Sequence, residues 1–191
     1  MSPRLLVLIP LAVGINLAMG QFASAISLPV YLDTVGTILV AALTGLVPAL
    51  ITGLLSQVVT TVVSGNSIWI AFLPVQLYVA AFAAVAARAG AFRGIWRTVG
   101  TGLLLGATAA LLSWPIAYLA FGGVTATGVT AVTTVLTAIG FPLRWAVLAA
   151  SASTDLLDKT ATVLLVRGLL VALPRRTAAR FPLAERALGR A

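Results

Sequence analysis

The side chains able to do chemistry in this 191-residue chain are few: the carboxylates of Asp33, Asp155, Asp158 and Glu185, and one ammonium, Lys159. Cys and His are both absent. A zinc site, a thiol nucleophile and the usual imidazole acid/base therefore drop out together, and no metal or cofactor is expected. A phosphate-cradling G-x-x-x-x-G-K-[ST] loop is also impossible, because the sole lysine follows Asp158. Asp155 and Asp158 are the one candidate for paired-carboxylate catalysis, but three residues apart they share a helix instead of facing each other across a cleft. No catalytic residue is expected, and the chain reads as a non-enzyme. Asp155 and Lys159, four apart, lie on one helix face and suit an internal ion pair, which leaves Asp158 to bind a solute or to meet Arg144.

The elements that hold these groups are set by composition. Hydrophobic residues make up 61% of the chain and charged residues 8%, against about 45–50% and about 25% in soluble domains. A soluble fold could not clothe its surface with so little polarity. The expected fold class is all-α: a polytopic membrane helix bundle of six transmembrane helices, with residues 1–174 as a single transmembrane domain and 175–191 as a basic cytoplasmic tail. Leu5 to Ile26 reads as a retained first span instead of a signal peptide, because equally apolar segments follow it. It ends at Ser27-Leu28-Pro29. No charged residue occurs from Thr34 to Ala87, so this stretch must be divided by its breakers. Gly45 to Pro48 and Ser64 to Ser67 give segments at Thr34–Leu46, Pro48–Val63 and Trp69–Ala87, although one kinked helix over Thr34–Val63 is an alternative. Val99–Phe121 is the next span, Val124–Ser153 reads as a long connection with helical pieces, and Leu156–Leu173 is the last crossing.

The net charge of +8 would point to nucleic acid in a soluble protein, but the arginines gather beside hydrophobic segments and no nucleic-acid partner is expected. Arg88, Arg93 and Arg97 form one basic loop, and Arg175, Arg176, Arg180, Arg186 and Arg190 a basic tail. The cytoplasmic excess of positive charge puts both on the inner side of the cell membrane. With Arg4 inside as well, four crossings precede Arg88, and both termini are cytoplasmic.

Under this topology Asp33, Asn66, Trp69 and the Asp155–Asp158–Lys159 cluster fall at the outer ends of their helices. Asn16, Gln21, Gln76 and Trp114 lie deeper. Together they would line a solute-binding cavity open to the outside. Small residues recur every fourth position at Ala41, Gly45, Ala49 and Gly53 and at Gly102, Gly106 and Ala110, with a shorter version at Gly14 and Ala18. Such stripes let helices approach closely, either inside the bundle or against another membrane subunit.

Three stretches carry a family resemblance: Gly14-Ile15-Asn16-Leu17; Leu28-Pro29-Val30-Tyr31-Leu32-Asp33-Thr34-Val35-Gly36-Thr37; and Gly45-Leu46-Val47-Pro48-Ala49-Leu50-Ile51-Thr52-Gly53. The chain resembles the substrate-binding S components of energy-coupling factor (ECF) transporters, in which a Leu-Pro loop with an acidic residue leads into a glycine-punctuated helix pair. Asp155-Leu156-Leu157-Asp158-Lys159 looks like the polar-x-x-polar-Lys opening of the last helix in riboflavin-type members. The Gly45–Gly53 turn departs from the pattern, since family members often have Gly-Pro followed by Ala-Gly there. The resemblance implies a subunit that captures a vitamin-like small molecule from outside, such as riboflavin, a thiamine precursor, pyridoxine or cobalamin, and delivers it by reorienting in membrane lipid. It implies a coupling transmembrane subunit and two cytoplasmic ATPases as partners, with docking through Gly14 and Ala18 and with the loop before Asp33 as a gate. A non-transporting membrane sensor or assembly module is the alternative.

Overall fold

The computed structural model describes residues 3–26, 28–125, 127–178 and 180–189. Ser27 of the first expected break and Arg190 of the tail lie outside the described residues, as do the side chains of Arg4, Arg175 and Arg176. The fold is all-α: α1 (Pro3–Ala25), α2 (Val35–Thr44), α3 (Leu46–Ser64), a 3-10 turn (Ser67–Phe72), α4 (Leu73–Arg88), α5 (Ile95–Leu119), α6 (Thr127–Ala138), α7 (Leu143–Ala172), α8 (Arg175–Ala178) and α9 (Pro182–Leu188). Among the described residues, four stretches are long and apolar enough to cross a bilayer, Leu5–Ala25, Leu46–Ser64, Ser67–Arg88 and Ile95–Leu119, as in a multi-pass membrane protein. Large aliphatic side chains such as Val7, Leu111 and Val62 stand on the outside of the bundle, where hydrocarbon and not water would satisfy them.

Between Val35 and Ser64 the divided pattern holds. Gly45 has φ 92, a left-handed conformation that costs glycine little and other residues more. Its N–H closes α2 on the Ala41 carbonyl at 3.0 Å, while its own carbonyl accepts from Ala49 of α3 at 3.3 Å. Pro48 then falls in the first turn of α3, where a missing N–H leaves no helical bond unmade. The ten residues of α2 rise only about 15 Å. That is about half a hydrocarbon layer. Eight of them are buried, so α2 runs inside the bundle, against α1, α3, α4 and α7.

The Val124–Ser153 connection is corrected by the structure. It consists of α6, a turn at Gly140, and the first part of α7, so the last long helix begins at Leu143 and not at Leu156. Pro142 occupies the N-cap of α7, just outside the helix, and its ring imposes no break. The Ala- and Ser-rich stretch that follows looks weakly apolar in sequence, yet Ala146, Ala150, Ser151 and Thr154 are buried. Small residues there serve close helix contact instead of chain flexibility.

The stripes of small residues also find their partner inside. A Cβ on Gly106 would lie 2.7 Å from the Asp155 carbonyl oxygen and the Leu156 Cα, and one on Gly102 would lie 2.6 Å from the Thr160 Cα. α5 and α7 are therefore packed antiparallel with backbones nearly touching. On α3, a Cβ at Gly53 would meet the Gln76 carbonyl of α4 at 3.2 Å. Gly14 differs, since nothing lies within 4 Å of its position.

The turns sort to two ends of the bundle. At one end Trp69 and Phe121 rings meet at 5.3 Å, and Gly123 abuts Val147 and Leu143 of α7. At the other, Gly45 abuts Leu183 and Arg88, and the Phe92 N–H donates to the Ala187 carbonyl at 3.2 Å. α9 thus folds back to cover the arginine-rich end, burying Ala184, Ala187 and Leu188.

Candidate functional site

Asp158 organises the site. It sits at mid-length of α7, fully buried, and its Oδ1 accepts the backbone N–H of Tyr31 at 2.9 Å and of Leu32 at 2.7 Å. The segment Leu28–Thr34 is thereby drawn into the bundle above the short α2. Leu32 has φ 54, a left-handed conformation that disfavours a leucine, and its bond to Asp158 holds it there. Non-helical backbone at this depth is tolerated when protein groups satisfy it, and the Asp158 carboxylate does so.

Lys159 closes the arrangement. Its ammonium is ion-paired with Asp158, lies 3.8 Å from Asp33 Oδ1, and donates to Thr34 Oγ1 at 3.5 Å. The expected Asp155–Lys159 pair does not form; Asp155 instead accepts from Ser113 Oγ of α5 at 2.6 Å. Nor is Asp158 left over for Arg144, which lies over the Trp145 ring. The reason is tertiary: the loop delivers Asp33 to the lysine, while close packing of α5 delivers a hydroxyl to Asp155. The cluster was also expected at the outer end of its helix. The early start of α7 places it midway along, and it is the loop that descends to meet it.

A cavity of about 90 Å³ opens between these groups. Asp33, Gln76, Asp155 and Lys159 provide its polar wall, and Tyr31, Trp69 and Phe72 its aromatic wall. Gln76 Nε2 donates to Asp33 Oδ2 at 3.3 Å. Trp69, Phe72 and Phe121 form a triangle of rings with centroids 5.2 to 5.8 Å apart. The Trp69 backbone is pinned by Gln57 Nε2, which donates to its carbonyl at 2.6 Å. An adjoining cavity of about 210 Å³ shares Tyr31, Asp33, Thr60 and Trp69 with the first and reaches Asn16 and Gln21 on α1. The segment carrying Tyr31 and Asp33 is thus the partition between the two.

Of the residues expected to bind a solute, Asp33, Trp69, Gln76, Asp155 and Lys159 line the main cavity. Gln21 reaches only the adjoining one. Asn16 touches that cavity too, but its amide is committed: Nδ2 donates to Thr37 Oγ1 and Ser56 Oγ, each at 2.8 Å, and Oδ1 accepts the Gly36 N–H at 2.6 Å. It ties α1, α2 and α3 together where a Cβ on Gly36 would collide with the Ala12 backbone. Asn66 is exposed and caps the 3-10 turn, accepting the Ile68 N–H at 3.1 Å. Trp114 braces α5 to α7 by donating to the Arg144 carbonyl at 3.0 Å, and Asp158 lies behind the wall. Gly14 and Ala18 are exposed on α1.

Tyr31, Phe72, Ser113 and Ser151 also line the cavity and were not singled out from the sequence. Ser151 precedes Asp155 by one helical turn, and Ser113 follows Ala110 of the small-residue stripe by three. Helical spacing alone could have found both. The chain has no match among known protein families, characterised proteins or solved structures.

Proposed function

We propose that this protein is the substrate-binding membrane subunit of an ECF-type importer, taking a vitamin-like small molecule into the cavity between the Leu28–Thr34 loop and α7. One observation carries the proposal: a cavity with two carboxylates and the chain's one lysine on its walls lies within a bundle of helices in which charged residues are rare. Ionisable groups at such depth are expensive and belong to a solute path or site. In this reading α1, the Leu28–Thr34 loop together with the short α2, α3, the 3-10 turn with α4, α5 and α7 make six crossings. Arg88, Arg93, Arg97, Arg180 and Arg186 then face the cytoplasm with both termini, and the loop gates the site from outside. The exposed Gly14 and Ala18 form the face for the coupling subunit, whose two ATPases supply the energy that this chain has no nucleotide loop to supply.

The test is to express the tagged chain together with an ECF coupling subunit and its ATPases. Co-purification of all components, energised uptake of a vitamin, and the same vitamin retained by the purified chain in mass spectrometry are expected. A chain that retains a solute but neither recruits those partners nor supports uptake would be a membrane sensor, and the transport proposal would fall.

A further inference from the structure

The charge on the cavity wall specifies the solute more narrowly. Three carboxylates, the buried Asp155 and Asp158 and the partly exposed Asp33, meet one ammonium, Lys159, and Lys159 makes the ion pairs found among the described residues. Arg144 and Arg167 are 11 residues before Asp155 and 8 after Lys159 on α7, about 16 and 12 Å along the helix axis. Neither is in ion-pair contact with the cluster. Ionised, the cluster carries an excess of two negative charges, which is costly in a low-dielectric interior without a counter-charge.

Hydrogen-bond capacity points the same way. Gln76, 6% exposed, has an Oε1 with no partner. Its Nε2 is the atom that must face Asp33, because a carboxylate only accepts. The atom left unpartnered is therefore an acceptor. Asp33 Oδ1 is also without a hydrogen bond, as is the Oγ of Ser151, which is 2% exposed. The lysine, the one cationic donor on the wall, is already committed to Asp158, Asp33 and Thr34. The Trp69 and Phe72 rings complete a surface that attracts cations.

Resting on the solute-binding reading above, we infer that the ligand of this cavity is a small organic cation, a protonated nitrogen on or beside one flat ring, held between Asp33 and Asp155 and against Trp69 and Phe72. The size follows from about 90 Å³ of space, well below the roughly 300–1,000 Å³ of drug-sized sites.

The experiment uses the purified full-length chain in detergent with three probes of matched size: benzylammonium, benzyl alcohol and benzoate. Thermal unfolding and quenching of tryptophan fluorescence report binding. Benzylammonium alone should stabilise the protein, and its affinity should fall roughly tenfold or more in both Asp155→Asn and Asp33→Asn, while Glu185→Gln leaves it unchanged. Equal binding of alcohol and ammonium, preference for benzoate, or no stabilisation by any probe at millimolar concentration overturns the inference. The three-probe comparison on the unmodified chain stands even if a variant fails to fold. No step requires the coupling subunit, so the two proposals fail separately. Cation selectivity without energised uptake removes only transport, and energised uptake of a neutral or anionic vitamin through this cavity removes only the cation.

Discussion

Asp158→Ala should be among the most damaging single substitutions in this chain, through the loop and the lysine together. It strips two backbone N–H groups, of Tyr31 and Leu32, of their acceptor, and bonds of that kind to a charged group contribute about 1.5–3 kcal/mol each. It also leaves Lys159, 3% exposed, with Asp33 at 3.8 Å as its remaining ion-pair partner. Breaking a buried pair by removing one partner costs about 3–5 kcal/mol. The two losses share the same carboxylate and are not summed; the expected destabilisation is about 3–5 kcal/mol. Chemical unfolding in detergent micelles measures it, and hydrogen exchange at Tyr31 and Leu32 should rise as the strained φ of Leu32 is released. Adding Lys159→Met removes the uncompensated charge, so the double variant should recover part of the loss. If Asp158→Ala unfolds with the wild-type midpoint, or if the double variant is no more stable than Asp158→Ala, the paired-charge account of the loop is refuted.

Three further outcomes are expected. Gly106→Ala should cost about 1–3 kcal/mol by forcing α5 off the α7 backbone, whereas Gly100→Ala, with nothing within 4 Å of the new atom, should be neutral or stabilising by up to about 1 kcal/mol; unfolding midpoints of the two decide. Asn16→Ala should cost about 1–3 kcal/mol by orphaning the Gly36 N–H, and should lower stability in the absence of any ligand. Gly14→Trp should leave the unfolding midpoint unchanged, because that position faces open space, while abolishing co-purification with the coupling subunit; retention of the complex would remove Gly14 from the docking face.

The membrane character and the helix breaks were legible because they depend on local chemistry. Gly45 and Gly65 mark real ends, each with positive φ, and the long apolar runs become the four helices able to cross a bilayer. The start of α7 was not legible, because Pro142 and Gly140 look the same whether they begin a helix or interrupt a loop. Its Ala and Ser residues show their purpose only beside α5.

By itself the sequence determined which groups could act at all: four carboxylates and one lysine in a chain too apolar for water, with neither cysteine nor histidine. It also confined Asp155, Asp158 and Lys159 to five successive residues of one helix. Which of them pair, and which face a cavity, was decided by the tertiary structure. Asp33 and Lys159 are 126 positions apart, and it is the descent of the Leu28–Thr34 loop onto Asp158 that brings them together. Charge pairing in a low-dielectric interior depends on distance through space, and spacing along the chain carries that distance only within a single helix.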